Sequence, residues 1–395
     1  MKFLAVFIAA LLAFSTPAEA AQKRVAVKKI AKIATLPTAE LLLASGSSII
    51  TVGNIESATS DISLSALNSD GTPSWNLNLD SGLDEIAMAA TPDSAGNIWL
   101  AGFSATATAV VEETTTATVV AENPDSVLVE PSQPTRSDLN RLTLWKVTSN
   151  GQLEASYYSS ENLPGIINSI SVSKSGLSIL GQYNQRSFIQ LMSLSGSFGA
   201  LAYIGTSKTS LNAIVRNSDG SSSAFGYSTE TLGGKKLAAK QDGVLIKVSK
   251  SGSLTSVVRS SAIKAERSWL SADSNFLLSG YVKVGKKIES AITKFTPTFA
   301  PTWTLRVPSA GESLAITAGK TSIAAVNSTA PVTSLIGWKP TKPSLLLLSF
   351  DAKGLIIAAK GSADLGAPLA LTYSKELGVF GLAKASDGAV TLFKF

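Results

Sequence analysis

Carboxylates are the side chains of this sequence best suited to chemistry, because the chain has no histidine. That absence excludes imidazole general bases, histidine-containing catalytic triads and the commonest zinc and copper sites. Four carboxylates recur at nearly the same point of a repeated pattern, where a predicted inner strand begins: Glu40, Glu85, Glu266 and Glu312. Close carboxylates raise one another's pKa and are relieved by a cation, so this set is a candidate site for Ca²⁺ or an amine. The alternative interpretation is that polar residues begin a strand at the surface.

Basic and aromatic side chains form a second group of candidates, in the variable loops and at the strand ends that lead into them. The basic members lie in two neighbouring loops and are Lys235, Lys236, Lys286 and Lys287. The aromatic members are Tyr227 and Tyr281, each directly after a glycine that ends a strand, and Trp338, in a long loop. The lysines suit an anionic polymer, and the rings suit a sugar or a peptide; solvation of the lysines and packing of the two tyrosines between blades are the simpler interpretations. Trp338, beside Gly337 and Lys339, is expected to be an exposed contact residue.

The elements that must position these residues are short strands in a repeat of about 45 residues, which is typical of a β-propeller. Alternating apolar runs recur along the chain at Ile49 to Gly53, Ile98 to Gly102, Leu177 to Gly181, Ser222 to Gly226, Phe276 to Gly280, Ser322 to Val326 and Val379 to Ala383. A second run follows each of them, and several second runs end in hairpin-turn sequences such as Asp70-Gly71 and Lys353-Gly354. The sequence therefore predicts an all-β, seven-bladed, up-and-down propeller.

The last repeat ends at Phe395 without its fourth strand, and the segment from Val25 to Leu36 alternates without belonging to a repeat. We therefore predict that an N-terminal strand within residues 21–39 completes the last blade and closes the ring, with the propeller proper over residues 40–395. Residues 104–139 are predicted to be a loop insertion in the second blade. The connections between second and third strands vary in length and emerge on one face, where function concentrates in such scaffolds.

The N-terminus has the pattern of a secretory signal peptide over residues 1–20. It combines Lys2, an apolar stretch and a small-residue exit at Ala18-Glu19-Ala20, which predicts cleavage after Ala20 and a secreted or extracytoplasmic protein. No other segment is apolar and long enough for a transmembrane helix. The chain has no cysteine, so stability must come from blade packing and ring closure.

Net charge does not favour nucleic acid as a partner. The chain carries a net charge of +6, but only 16% of its residues are charged, and its lysines and arginines are spread thinly instead of forming a dense stripe. The mild excess suits an acidic cell surface or wall polymer.

The repeat unit resembles the seven-bladed propeller repeats of bacterial secreted and surface proteins. The resemblance is carried by the segment from Asp61 to Trp75 and, as the clearest second copy, the segment from Asp242 to Leu254; a lysine recurs before the turn at Lys146, Lys247 and Lys294. It covers nearly the whole mature chain and implies the fold and an extracytoplasmic setting. It implies no catalytic residue, because one fold hosts many functions.

Together these features predict a non-catalytic binding or surface-interaction propeller. We expect it to be a monomer, to need no cofactor, and to recognise protein or glycan at a cell surface through the loops of one face. The alternative is a carboxylate-based glycoside hydrolase or lyase at the channel mouth, for which two acids about 5 to 10 Å apart would be required.

Overall fold

The computed structural model describes residues 24–106 and 138–395, and every regular element in these ranges is a β-strand. Residues 1–20, predicted to be a signal peptide, and most of the predicted 104–139 insertion lie outside the described residues. The strands of the first half are β1 (Val25–Lys29), β2 (Ala31–Thr35), β3 (Leu41–Ser45), β4 (Ser48–Glu56), β5 (Ser60–Leu67), β6 (Pro73–Leu79), β7 (Glu85–Pro92), β8 (Ile98–Ala105), β9 (Leu139–Val147), β10 (Leu153–Asn162), β11 (Ile166–Ser173), β12 (Gly176–Tyr183), β13 (Arg186–Met192) and β14 (Ala202–Ile204).

The strands of the second half continue the pattern of short antiparallel hairpins. They are β15 (Thr209–Arg216), β16 (Ser222–Ser228), β17 (Asp242–Val248), β18 (Leu254–Ser260), β19 (Glu266–Ala272), β20 (Leu277–Val284), β21 (Lys287–Phe295), β22 (Pro301–Ala318), β23 (Thr321–Ser328), β24 (Leu335–Ile336), β25 (Ser344–Phe350), β26 (Ile356–Ser362), β27 (Leu365–Ser374), β28 (Gly378–Ala385) and β29 (Val390–Lys394).

These strands form four-stranded blades around a centre. Five sheets have four strands each, in the orders β3-β4-β5-β6, β7-β8-β9-β10, β11-β12-β13-β14, β15-β16-β17-β18 and β27-β28-β29-β2. Their inner strands contact one another in sequence, and β27 contacts both β22 and β3, so the ring is closed. The fold is an all-β propeller.

The prediction of seven blades is wrong. The structure has five four-stranded blades, and the repeats expected to form a separate fifth and sixth blade are one nine-stranded sheet in the order β19-β20-β21-β22-β23-β25-β26-β1-β24. The physical cause is β22, an 18-residue strand that pairs with β21 as far as Pro308 and with β23 from Ser309 onward. No turn separates the two pairings, although the pairing with β23 shifts register between Ser309 and Ser313.

The N-terminal segment is two strands in two sheets. β2 pairs antiparallel with β29 and forms the outer strand of the last blade. β1, which the sequence did not separate from β2, pairs in parallel with β26 and with β24. Ile30, between the two strands, is 3% exposed and packs with Leu345 and Phe393. The segment therefore joins two neighbouring sheets at their outer edges.

Apolar side chains fill the spaces between neighbouring sheets. One cluster joins Trp99 and Phe103 of one blade to Ile179 and Phe188 of the next. Another joins Leu42 and Ile49 of the first blade to the last blade. Burying each large apolar side chain stabilises the fold by roughly 1.5–3 kcal/mol, so blade packing replaces the disulfides that this chain cannot form.

Glycines within the second strands, which the sequence placed at the strand ends, allow a bulge in the inner strand. The pairing of β7 with β8 shifts register opposite Gly102, and a Cβ on Gly102 would lie 1.8 Å from the carbonyl oxygen of Ile86. A Cβ on Gly226 would lie 2.0 Å from an inner-strand carbonyl oxygen, and a Cβ on Gly280 would lie 1.9 Å from one. We expect Gly102→Ala to lower the free energy of unfolding by about 1–3 kcal/mol, the usual cost of overpacking. Urea unfolding followed by circular dichroism measures the change.

Gly366→Ala is the matched control for this substitution. A Cβ at Gly366 would have its nearest neighbour at 3.6 Å, an ordinary contact. The two variants should therefore differ clearly in their unfolding midpoints, and equal midpoints would contradict the proposed role of the glycine.

Candidate functional site

The four glutamates expected at the channel mouth each have a different partner. Glu40 accepts a hydrogen bond from the Asn54 amide at 2.6 Å. Glu266 forms an ion pair with Lys283 at 3.5 Å. The structure thus places these two carboxylates beside local partners on their own sheets.

The other two glutamates differ strongly in burial. Glu85 is 4% exposed and accepts the backbone N–H of Ser81 at 3.3 Å, and burial raises the pKa of its carboxyl. Glu312 is exposed and accepts a hydrogen bond from Asn327 at 3.3 Å. Among residues 24–106 and 138–395, no group of three or more acidic side chains is arranged to hold a metal ion. Calcium binding by these glutamates stays a prediction.

The centre of the ring holds a cavity of about 300 Å³ lined by inner strands from several sheets. Its lining is neutral and mostly aliphatic, and its polar groups are the hydroxyls of Ser169 and Ser271 and the amides of Asn168 and Asn212. Both amides already form hydrogen bonds within the protein: Asn168 donates to the carbonyl oxygen of Leu211, and Asn212 donates to that of Trp269, each at 2.7 Å. None of the lining residues is titratable, and none of the four glutamates is among them. The cavity therefore offers no general acid or base.

The aromatic candidates are largely occupied by packing. Tyr227 and Tyr281 are half-buried. Trp338, expected to be exposed, is also half-buried; its indole N–H donates to Ser328 Oγ at 3.0 Å and its ring lies against Gly361. Gly361 has no side chain, and this leaves room for the ring. The contact could not be predicted because the two residues are distant in sequence.

The basic candidates fall into two separate places. Lys286 and Lys287 are exposed at the turn between β20 and β21, and Lys287 forms an ion pair with Glu289 at 2.9 Å. Lys235 and Lys236 are exposed on the loop between β16 and β17, and neither has an acidic partner in the part of the chain that the structure describes.

Lys235 and Lys236 border an open cleft of about 570 Å³ between their loop and the outer strand β18, here called the loop cleft. Its other lining residues include Val257, Val258 and Arg259. None of the residues that line it is aromatic. The loop cleft thus combines unpaired ammonium groups with aliphatic surface.

A buried ion pair fixes the loop that carries these lysines. Arg259 Nη1 donates to Asp242 Oδ2 at 3.1 Å, with side-chain exposures of 8% and 0%. Asp242 also accepts the backbone N–H groups of Ala238 and Ala239, at 2.8 and 3.1 Å. Arg259 Nε donates to the carbonyl of Lys235 at 3.1 Å. The loop is therefore held against β18 by charge-assisted hydrogen bonds, which are the stronger kind.

A second cleft, which the sequence did not indicate, lies at the outer edge of the nine-stranded sheet. It has a volume of about 710 Å³ and is here called the edge cleft. Its lining includes Arg24, Lys28, Leu355, Ile357, Lys360 and Phe395. From the sequence, the basic residues of the N-terminal segment suit a solvated outer strand, with a polyanion-binding arm as the alternative. The pairing of β1 with β26 was not predictable.

Comparison with known proteins identifies no family. No family model and no curated protein matches the chain. Similar solved structures include BBS1N in complex with ARL6DN, from a crystal soaked with lead, at 10% identity and a TM-score of 0.47, covering 93% of this chain and 97% of that chain. The same complex soaked with mercury gives 10% and 0.46, covering 94% of each chain. A protein of unknown function from Bacteroides caccae gives 10% and 0.40, covering 80% of this chain and 94% of that chain. These similarities are too low to support a function.

The described residues form no helix that could cross a membrane.

Proposed function

We propose that this propeller is a non-catalytic binding module that recognises an acidic protein surface through the loop cleft. The supporting observation is that Lys235 and Lys236, which have no acidic partner among the described residues, lie on a loop held by the Asp242–Arg259 ion pair. A loop ordered before binding loses less conformational entropy when a partner docks, so more of the contact energy becomes affinity.

The chemistry of the loop cleft favours a protein over a glycan. Ala238 is exposed and Val258 is half-buried, so these two residues supply aliphatic surface, and no ring lines the cleft for stacking on a sugar. Lysines at the rim of such a surface steer an oppositely charged partner and fix its orientation. The partner expected from this combination is a protein surface with carboxylates around an apolar patch.

A catalytic role has less support. The four glutamates contact different partners, and the central cavity has a neutral lining. A glycoside hydrolase needs two carboxyl groups facing each other across the substrate, and no observation on this chain favours such a pair.

We also propose that the protein is exported from the cytoplasm. The signal-peptide pattern of residues 1–20 supports a secreted or extracytoplasmic protein that meets its partner at a cell surface.

Binding of poly-L-glutamate tests the proposal, with heparin as the anionic glycan probe. We expect Lys235→Gln combined with Lys236→Gln to weaken poly-L-glutamate binding about tenfold, since each exposed ion pair contributes about 0.2–1 kcal/mol. Fluorescence anisotropy at several salt concentrations measures the dissociation constant, and the affinity should fall as salt rises.

The control changes the same charge on the opposite face. Lys320 and Lys353 are exposed in turns between the first and second or third and fourth strands, away from the variable loops. If Lys320→Gln combined with Lys353→Gln weakens binding equally, only net charge matters and the proposed site is wrong. Binding of heparin without poly-L-glutamate would reassign the cleft to glycan.

A further inference from the structure

The edge cleft opens where two strands of one sheet separate. Residues Val27, Lys28 and Lys29 of β1 pair with Ala359, Lys360 and Gly361 of β26. The preceding residues Val25 and Ala26 leave β26 and pair with β24 instead.

This separation leaves part of a strand edge uncovered. The other edge of β26 pairs with β25 along its length. On the cleft side, the described pairing covers Ala359–Gly361 and gives no strand partner to residues 356–358. An uncovered strand edge presents backbone donors and acceptors that can pair with an added strand.

Apolar side chains flank this edge. Leu355 and Ile357 are 46% and 50% exposed, and Phe395 is half-buried beside them. Large aliphatic side chains that flank a strand edge suit a partner with apolar side chains at alternate positions.

Cations outnumber carboxylates among the described residues that line the cleft. Arg24, Lys28 and Lys360 line it, and Asp351 is the acidic residue in the lining. Asp351 is already engaged by the backbone N–H groups of Lys353 and Leu355, each at 2.9 Å. None of the three cations has an ion pair with a described acidic residue.

Lys360 shows the effect of this crowding. Its ammonium group lies 5.1 Å from the centre of the Phe395 ring. Burial and the neighbouring charges of Lys28 and Lys394 lower the pKa of Lys360. An anionic ligand would relieve this repulsion.

We propose that the edge cleft binds an extended acidic peptide, which adds as a strand to the uncovered edge of β26 between Arg24, Lys28 and Lys360. The free backbone edge favours a peptide over an anionic lipid or detergent, because only a peptide supplies matching N–H and carbonyl groups. The site is separate from the loop cleft, so it extends the proposed function to a second contact.

The test uses a fluorescent hexapeptide of alternating valine and glutamate with the full chain. We expect saturable binding by fluorescence anisotropy. Lys28→Gln and Lys360→Gln should each weaken it about three- to fivefold. Lys353→Gln, in the adjacent turn but outside the cleft lining, should leave the affinity within about twofold.

Two further probes decide the mode of binding. A peptide N-methylated at alternate residues cannot form the strand ladder on one edge, and we expect at least a tenfold loss for one of the two methylation registers. Equal binding of both methylated peptides, or tighter binding of dodecyl sulfate with no peptide binding, would overturn the proposal. The double variant Lys235→Gln and Lys236→Gln should bind the hexapeptide normally, so failure at one cleft is distinguishable from failure at the other.

Discussion

Deleting residues 22–36 is expected to lower the melting temperature sharply and to make the protein prone to association. The deletion removes β1 and β2, and with them the pairing of Ala31 to Thr35 with β29 and of Val27 to Lys29 with β26. It also removes Ile30, whose truncation to alanine alone would cost about 2–5 kcal/mol as a buried aliphatic side chain. Two strand edges become exposed at once, which favours edge-to-edge aggregation.

Thermal unfolding by circular dichroism and size-exclusion chromatography measure these effects. Lys29→Ala is the control within the segment, because Lys29 is exposed and its backbone pairing survives the change. A deletion variant that melts at the temperature of the intact chain would rule out ring closure by this segment.

Asp242→Ala is expected to destabilise the protein by about 3–5 kcal/mol, the cost of leaving a buried charge without its partner. Asp242 is fully buried and accepts hydrogen bonds from Arg259, Ala238 and Ala239. Without Asp242, the buried guanidinium of Arg259 has no carboxylate to pair with. The loop that carries Lys235 also loses the hydrogen bonds that Ala238 and Ala239 donate to Asp242. Urea unfolding gives the stability change, and hydrogen exchange of residues 229–241 should rise.

A double-mutant cycle separates the ion pair from simple packing loss. Replacing Arg259 by methionine in the Asp242→Ala background removes the unpaired charge, so the double variant should be less destabilised than the sum of the single variants. Strict additivity would show that the two side chains do not stabilise each other.

Strands and turns were predictable because local chemistry determines them. Alternating apolar residues predicted the strands, and turn residues such as Gly71 and Gly354 adopt the expected positive φ, at 89° and 81°. The pairing of the N-terminal segment with the last blade followed from one missing strand and one unassigned segment, and β2 fills that place.

Features that depend on pairing between distant segments could not be predicted from the sequence. Pro308 and Gly311 lie within β22, where the strand changes its partner from β21 to β23 without a turn and with a register shift between Ser309 and Ser313. Trp338 was predicted to be exposed, but the fold places its ring against Gly361 and leaves it half-buried. The edge cleft combines Arg24 with Lys360, residues that only the parallel pairing of β1 with β26 brings together.

The continuous strand β22 also determines how the ring responds to mechanical load. A pull that separates neighbouring blades loads the 18-residue strand β22, which pairs with β21 and with β23 and shifts register between Ser309 and Ser313. The joint formed by β1 and β2 is made of two strands of five residues each. Under tension, we therefore expect the short pairings of β1 and β2 to separate before those of β22, beside the edge cleft.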